Sequence, residues 1–101
     1  MEIRIGGRKV AISGNLQRFV KALLLERLQR FSAAIAGVYV ELSDRNGRRG
    51  GGDKRCRIRV AMIEGGQIVR DDERANLRTA IGRATDRLER ALHRQMRMLP
   101  S

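Results

Sequence analysis

The arginines near the C-terminus are spaced as one side of a helix would space them. Between Arg83 and Arg97 they stand at positions 83, 87, 90, 94 and 97, and these alternating gaps of four and three match the repeat of an α-helix. Guanidinium groups along one flank repel one another, and each can bind a phosphate through two parallel hydrogen bonds. We therefore predict that this flank binds a polyanion. A solvated surface helix is the alternative.

The charge balance favours nucleic acid as the polyanion. The 101 residues include 22 Lys and Arg against 11 Asp and Glu, which gives a net charge of +11. An excess of this size is typical of proteins that bind nucleic acid or an anionic membrane. No apolar run is long enough to span a membrane, and the N-terminus lacks the apolar segment of a signal peptide. We predict a cytoplasmic protein without a membrane partner.

The N-terminal third of the chain predicts a strand followed by a helix. Apolar residues alternate over residues 3–12, with a bend at Gly6 and Gly7, and Ser13 is placed to cap the helix that follows. The helix is predicted to end near Ser32. Its apolar residues recur at spacings of three and four, as in an amphipathic helix: Leu16, Phe19, Val20, Leu23, Leu24, Leu28 and Phe31.

The rest of the chain predicts three more strands and a second helix. One strand begins after Gly37, and the next runs from Arg55 to Met62 with strict alternation. Gly65 and Gly66 predict a tight hairpin turn. The run QIVR predicts a short fourth strand. Helix two is expected to begin at the acidic run DDE, residues 71–73, and to end near Met98.

These elements predict an α+β domain. In the order β-α-β-β-β-α, two amphipathic helices can cover one face of a four-stranded mixed sheet, which gives a two-layer sandwich. The helix between the first two strands implies that these strands are parallel, and the later hairpins are antiparallel. Without an internal repeat or a linker, residues 1–101 are predicted to form a single domain.

The polyanion site is predicted on the helical layer. Asp86 and Glu89 fall on the flank of helix two that faces away from the arginines. Arg27 falls inside the apolar sector of helix one, so either its stem bends outward or the helix contains one extra residue near 23–26. Because both helices cover the same face, their basic residues are expected to adjoin. The predicted RNA-binding residues are Arg18, Lys21, Arg27, Arg30, Arg83, Arg87, Arg90, Arg94 and Arg97.

A second basic patch is predicted on the open face of the sheet. It comprises residues of strand three and of the glycine-rich loop before it: Arg48, Arg49, Arg55, Arg57 and Arg59. Alternation places polar residues on a solvent face in any case. The patch is therefore equally interpreted as solvent-facing surface or as a contact for a large RNA or an acidic partner.

Catalytic chemistry has little support in the sequence. His93 is the only histidine and lies among arginines, where an exposed position at a helix end explains it. Cys56 is the only cysteine and alternates as a buried strand residue, which excludes a disulfide framework. We predict no enzyme activity, no metal, no cofactor and no small-molecule substrate.

The whole chain resembles the ribosome hibernation-promoting factor family, also called ribosome-associated translation inhibitors, in its short form. The resemblance is carried by the element order, by the opening run EIRIGGRKVAISGNLQRFVKALLLERLQRF, by VYVELS, and most of all by AIGRATDRLERALHR. It implies binding to the small ribosomal subunit in the channel for messenger and transfer RNA. Occupying that channel would inhibit translation and promote hibernation under stress or in stationary phase. The family's basic positions match Arg87 and Arg90, with Arg94 close behind.

Two alternatives remain open at this point. The chain has Asn76, Leu77 and Arg78 where many members have an Asp-Met-Tyr cluster, which allows a diverged paralogue acting as a general RNA-binding or protein-interaction module. A short fourth strand would also allow a weak homodimer through strand edges. Steep weakening by salt would separate phosphate contacts from apolar protein association.

Overall fold

The predicted element order is confirmed by a computed structural model, which describes residues 1–44 and 54–97. Two helices and four strands occur in the order β-α-β-β-β-α. Their bounds are β1 (Glu2–Arg8), α1 (Gly14–Leu28), a 3₁₀ turn (Gln29–Ala34), β2 (Ile35–Asp44), β3 (Lys54–Met62), β4 (Gln67–Arg74) and α2 (Leu77–Arg97). Within the described residues, no helix is both long and apolar enough to cross a membrane.

The sheet has the predicted mixed topology. Its strands lie in the order β1-β2-β3-β4, with β1 parallel to β2 and the other neighbours antiparallel. The turn between β3 and β4 falls at Gly65 and Gly66, whose φ angles of 107° and 79° favour glycine. β1 and β4 are the edges of the sheet, and a homodimer through either edge stays a prediction.

One face of the sheet packs against both helices and forms the core. Ser13 caps α1 as predicted, because its Oγ accepts a hydrogen bond from the Leu16 amide at 3.1 Å. The buried side chains follow the predicted periodicities, and Thr85 joins them because its hydroxyl donates to the Ile81 carbonyl at 2.8 Å. The largest fully buried side chains are Leu24, Leu28, Leu42, Ile58, Ile81, Leu88 and Leu92.

The ends of three elements differ from the prediction. β1 stops at Arg8, because Lys9 turns the chain with a φ of 60° and Ile12 returns over Gly7. A Cβ on Gly7 would lie only 2.6 Å from the Val10 carbonyl oxygen, so the close approach requires glycine. α1 ends at Leu28, and the 3₁₀ turn carries the helical pattern on to residue 34. β2 begins at Ile35 rather than after Gly37.

The prediction that the acidic run opens helix two is wrong. Residues 71–73 extend β4, which is eight residues long rather than short. Asp71 pairs across the sheet with Arg57, and Glu73 pairs with Arg55, so the run lies beside a basic strand. Opposite charges on facing strand positions stabilise a sheet. Asn76 caps α2 instead, accepting a hydrogen bond from the Thr79 amide at 3.1 Å.

Candidate nucleic-acid interface

The second helix presents its arginines beside its buried face, as its periodicity predicts. Ala80, Ala84, Leu88 and Ala91 are buried against the sheet. Arg83, Arg87, Arg90, Arg94 and Arg97 are all exposed and lie along one flank of α2. Arg94 and Arg97 also occupy the last turn, where the helix dipole favours positive charge.

These arginines form one side of an open groove, here called the arginine groove. Two residues from other elements complete it: Arg30 of the 3₁₀ turn and Arg70 of β4. The groove also contains one carboxylate, Glu89, and the exposed ring of His93. Its full lining is Arg30, Arg70, Arg83, Arg87, Glu89, Arg90, His93, Arg94 and Arg97. Sequence reasoning placed Arg70 at the end of a short strand and missed it as a groove residue, because the packing of β4 beside α2 is a tertiary contact.

The acidic side chains of α2 are held by arginines of the first helical segment. The Nη1 atom of Arg27 lies 2.6 Å from a carboxylate oxygen of Asp86 and 3.1 Å from a carboxylate oxygen of Glu89. Arg30 reaches the other Glu89 oxygen at 3.1 Å. These contacts tie both carboxylates to arginines of the first helical segment, and of the two only Glu89 also lines the groove. We call this cluster the interhelical ion pairs.

The structure resolves the two alternatives for Arg27. The helix is regular through Leu28, and the Gln29 amide donates to the Leu25 carbonyl, so an extra residue is excluded. The stem bends toward α2 instead. Hydrogen bonds to Asp86 and then Glu89 raise the pKa of the Arg27 guanidinium.

A buried carboxylate at the sheet edge orients one groove arginine. The Asp72 side chain is 5% exposed and lies 2.7 Å from Nε of Arg74 and 3.4 Å from Nη2 of Arg87. Arg87 also donates weakly to the Asp71 carbonyl, at 3.5 Å. The guanidinium of Arg87 is thus held at the boundary between β4 and α2.

The two helices do not form one continuous basic surface. Arg18 donates to the side chain of Asn15, both at the exposed start of α1. Neither Arg18 nor Lys21 lines the arginine groove, although both are exposed. Nearby, the guanidinium of Arg78 covers the Phe19 ring at 4.5 Å. Of the predicted basic residues in the first helical segment, only Arg30 joins the groove.

The second basic patch is partly neutralised. Arg55 lies 2.5 Å from a carboxylate oxygen of Asp71, and this pairing raises the pKa of the guanidinium. Arg57 and Arg59 are exposed on the same face, and Arg59 covers the Tyr39 ring at 4.4 Å. Arg48 and Arg49 lie outside the described residues.

The two candidates for catalytic chemistry occupy different environments. His93 is exposed on the arginine groove. Cys56 is buried in β3, where burial and then the charges of Asp72 and Asp71 raise the pKa of its thiol to about 12. Such a thiol is a poor nucleophile near neutral pH. Within residues 1–44 and 54–97, no group of three or more His, Cys, Asp and Glu side chains is placed to hold a metal ion.

Fold and groove together define a small α+β domain whose helical layer carries an open groove lined by seven arginines. The chain belongs to the Sigma 54 modulation protein / S30EA ribosomal protein family, whose sequence model matches residues 3–99. This match confirms the resemblance to the hibernation-promoting factors and makes the chain a member of a ribosome-associated family.

Solved structures that share the fold include the following two. The chain is 33% identical to the N-terminal domain of Thermus thermophilus Protein Y, with a TM-score of 0.77, covering 93% of this chain and 98% of that one. A ribosomal subunit interface protein from Coxiella burnetii is 21% identical, with a TM-score of 0.80, and the match covers 95% of this chain and 98% of that one. No match was found among curated protein sequences.

Proposed function

We propose that this domain binds the small ribosomal subunit in its channel for messenger and transfer RNA and thereby inhibits translation. It acts in the cytoplasm as a non-enzymatic factor that promotes ribosome hibernation under stress or in stationary phase. Family membership supports the ribosomal target. The observation that carries the proposal is the arginine groove, in which seven arginines accompany one carboxylate.

The interhelical ion pairs explain why this groove attracts phosphate. Asp86 and Glu89 are the acidic residues of α2, and both are engaged by Arg27. Competition from the helix's own carboxylates is therefore reduced. Arg30 pairs with Glu89 and Arg87 lies 3.4 Å from Asp72, and the other groove arginines are available to an external anion. In this proposal Arg27 acts through the carboxylates that it holds, and Arg30 both pairs with Glu89 and lines the groove.

Recognition in this proposal depends on the shape of the RNA. Guanidinium groups spaced along a helix contact phosphates, and phosphate contacts position a protein without reading sequence. Specificity for the small subunit then comes from how its folded RNA presents phosphates to a row of arginines along one helix. A protein bound in this way excludes messenger and transfer RNA by occupying their volume, and it needs no chemical step.

Sedimentation with purified ribosomal subunits tests the proposal. The groove variant Arg87→Gln/Arg90→Gln/Arg94→Gln is compared with Lys9→Gln/Lys54→Gln/Arg78→Gln, which removes the same number of charges outside the groove. We expect the wild type and the control to pellet with the small subunit and not with the large one. The groove variant is expected to lose most of this binding, and its logarithmic salt slope is expected to fall by about 0.7–0.9 for each phosphate that the protein no longer neutralises.

A competition assay separates channel binding from binding elsewhere on the subunit. Messenger RNA and initiator transfer RNA, bound first, are expected to exclude the protein. The protein is also expected to inhibit translation in a purified system. Simultaneous binding of the protein and both RNAs would contradict the proposal that the protein binds in the channel. Equal weakening of the two variants, or equal affinity for any RNA duplex, would point to general RNA binding.

A further inference from the structure

We propose that the open face of the sheet carries a second RNA-binding site, centred on Arg8, Arg57 and Arg59. The strand register brings these residues together: Arg8 lies at the end of β1, and Arg57 and Arg59 project from β3 on the same face. Arg4 completes the rim. This open-face site binds the phosphate backbone of a single RNA strand. The identity of that RNA, as RNA of the small ribosomal subunit, rests on the proposed function.

The site is a shallow concavity with a floor of backbone. Gly6 of β1 pairs with Glu41, and a Cβ added to Gly6 would meet nothing within 4 Å. The absence of a side chain there lowers the surface between the surrounding arginines. A phosphodiester chain can approach the strand closely at such a position. The lining is Arg4, Ile5, Gly6, Gly7, Arg8, Tyr39, Val40, Glu41, Arg57 and Arg59.

Most of the arginine charge at this site is uncompensated. Among the described residues, Arg8, Arg57 and Arg59 form no ion pair with a carboxylate. Asp71, the cross-strand neighbour of Arg57, is engaged by Arg55 at 2.5 Å. The lining contains four guanidinium groups against the single carboxylate of Glu41. Arg4 pairs with Glu2, but both side chains are more than 60% exposed, so an anion can compete for that contact.

One arginine of the site is held in place before any ligand arrives. The Tyr39 ring lies along β2 against Gly37, where an added Cβ would be 3.1 Å from the phenolic oxygen. Arg59 stacks on this ring at 4.4 Å, and its Nη1 donates weakly to Gln67 at 3.4 Å. One face of the planar guanidinium is thus covered, and its other face can stack on a base while its edge binds phosphate.

These features favour RNA over an acidic protein segment. A carboxylate uses only the edge of a guanidinium, whereas a nucleotide uses both the edge and the plane. The arginine groove and the open-face site lie on opposite layers of a domain that is 23 and 20 Å across in its two short dimensions. A factor placed between RNA walls can therefore contact both of them.

The first test uses the full chain and a short single-stranded oligouridine RNA, measured by fluorescence anisotropy. The background is Arg87→Gln/Arg90→Gln/Arg94→Gln, so that the arginine groove contributes little. In this background, Arg57→Gln/Arg59→Gln is expected to weaken binding at least tenfold and to lower the salt slope by about 0.7 for each phosphate that is no longer bound. Lys54→Gln/Arg78→Gln is the matched control, since it removes the same number of charges and neither residue lines either site, and it is expected to change affinity less than twofold. Circular dichroism verifies that each variant is folded.

The second test places a photo-crosslinking amino acid at position 57 of the otherwise unchanged protein, bound to small ribosomal subunits. Crosslinks to ribosomal RNA support the open-face site, and crosslinks to a ribosomal protein alone overturn it. Equal effects of the Arg57/Arg59 and Lys54/Arg78 substitutions in the first test also overturn it. If oligouridine binding responds as expected but the protein does not pellet with small subunits, the proposed function fails and the open-face site stands. If pelleting succeeds and the open-face substitutions have no effect, only the open-face site fails.

Discussion

Removing the Arg27 guanidinium should weaken both the packing of the two helices and the binding of RNA. The change is Arg27→Gln, which keeps much of the stem and deletes the contacts of 2.6 and 3.1 Å to Asp86 and Glu89. The three side chains are 36%, 46% and 25% exposed, so solvent screens them and each pair contributes about 0.2–1 kcal/mol. We expect the free energy of unfolding to fall by roughly 1 kcal/mol in total. For a domain of this size, that corresponds to a melting temperature lower by about 4–8 °C.

Urea unfolding followed by circular dichroism measures this decrease, with Arg18→Gln as the matched control on the same helix. Arg18 contacts only the exposed Asn15 side chain among the hydrogen bonds of the described residues, so its removal should change stability by no more than about 0.5 kcal/mol. A double-mutant cycle with Glu89→Gln isolates the pair, and the coupling should shrink in 1 M salt, where the Debye length is about 3 Å.

The same substitution should also affect the arginine groove. Without Arg27, Arg30 is the one ion-pair partner that Glu89 keeps among the described residues, so the charge of Glu89 opposes bound phosphate more strongly. Affinity for small subunits is expected to fall several-fold. Identical unfolding midpoints for Arg27→Gln and Arg18→Gln, together with a coupling energy near zero at low salt, would refute this account of the interhelical ion pairs.

Three further predictions concern the core and the first helix. The Cys56 thiol should resist a disulfide reagent at pH 8 until the protein unfolds. Rapid labelling of the folded protein would contradict this, and Cys56→Ala is the control. The folded pKa of the thiol, about 12, exceeds the unfolded value. The free energy of unfolding should therefore be retained below about pH 8.5 and should decline as the pH rises toward 12. Leu88→Ala should cost about 2–5 kcal/mol in urea unfolding, because Leu88 is fully buried, and a cost below 1 kcal/mol would mean that the core collapses around the cavity. Ser13→Ala should cost about 1 kcal/mol through removal of the helix cap, whereas Ser13→Asp should preserve stability.

Much of the fold could be predicted because the spacing of apolar residues and glycines along the sequence indicates each element. Alternation identified β3, the paired glycines identified the turn before β4, and the apolar repeat identified both helices. The prediction failed where a local pattern had two solutions. The acidic run at residues 71–73 suits a helix start, but it also suits a strand beside arginines, and pairing with β3 favours the strand.

The arginine flank was predictable for the same reason as the helices, since its five members belong to one periodic segment. The residues that other elements bring beside this flank could not be predicted in the same way. Arg27 looked misplaced on helix one, yet it meets carboxylates that lie 59 and 62 residues further along the chain. Arg70 joins the groove because β4 packs beside α2, a contact that local spacing does not specify. Gly6 and Arg8 meet β3 residues only through the parallel pairing of β1 with β2.

Periodicity, net charge and the spacing of the arginines are properties of neighbouring residues, so the sequence was enough to establish two helices, a mixed sheet and a basic helix flank. The ion-pair partners of Arg27, Arg30 and Arg55 are not set by their neighbours in the sequence. Whether an arginine is free or paired depends on which carboxylate the folded chain brings within about 4 Å, because screened attractions between exposed groups fade over a few ångströms. The packing of α1 beside α2 set that outcome for Arg27 and Arg30, and the strand register set it for Arg55 and Arg57.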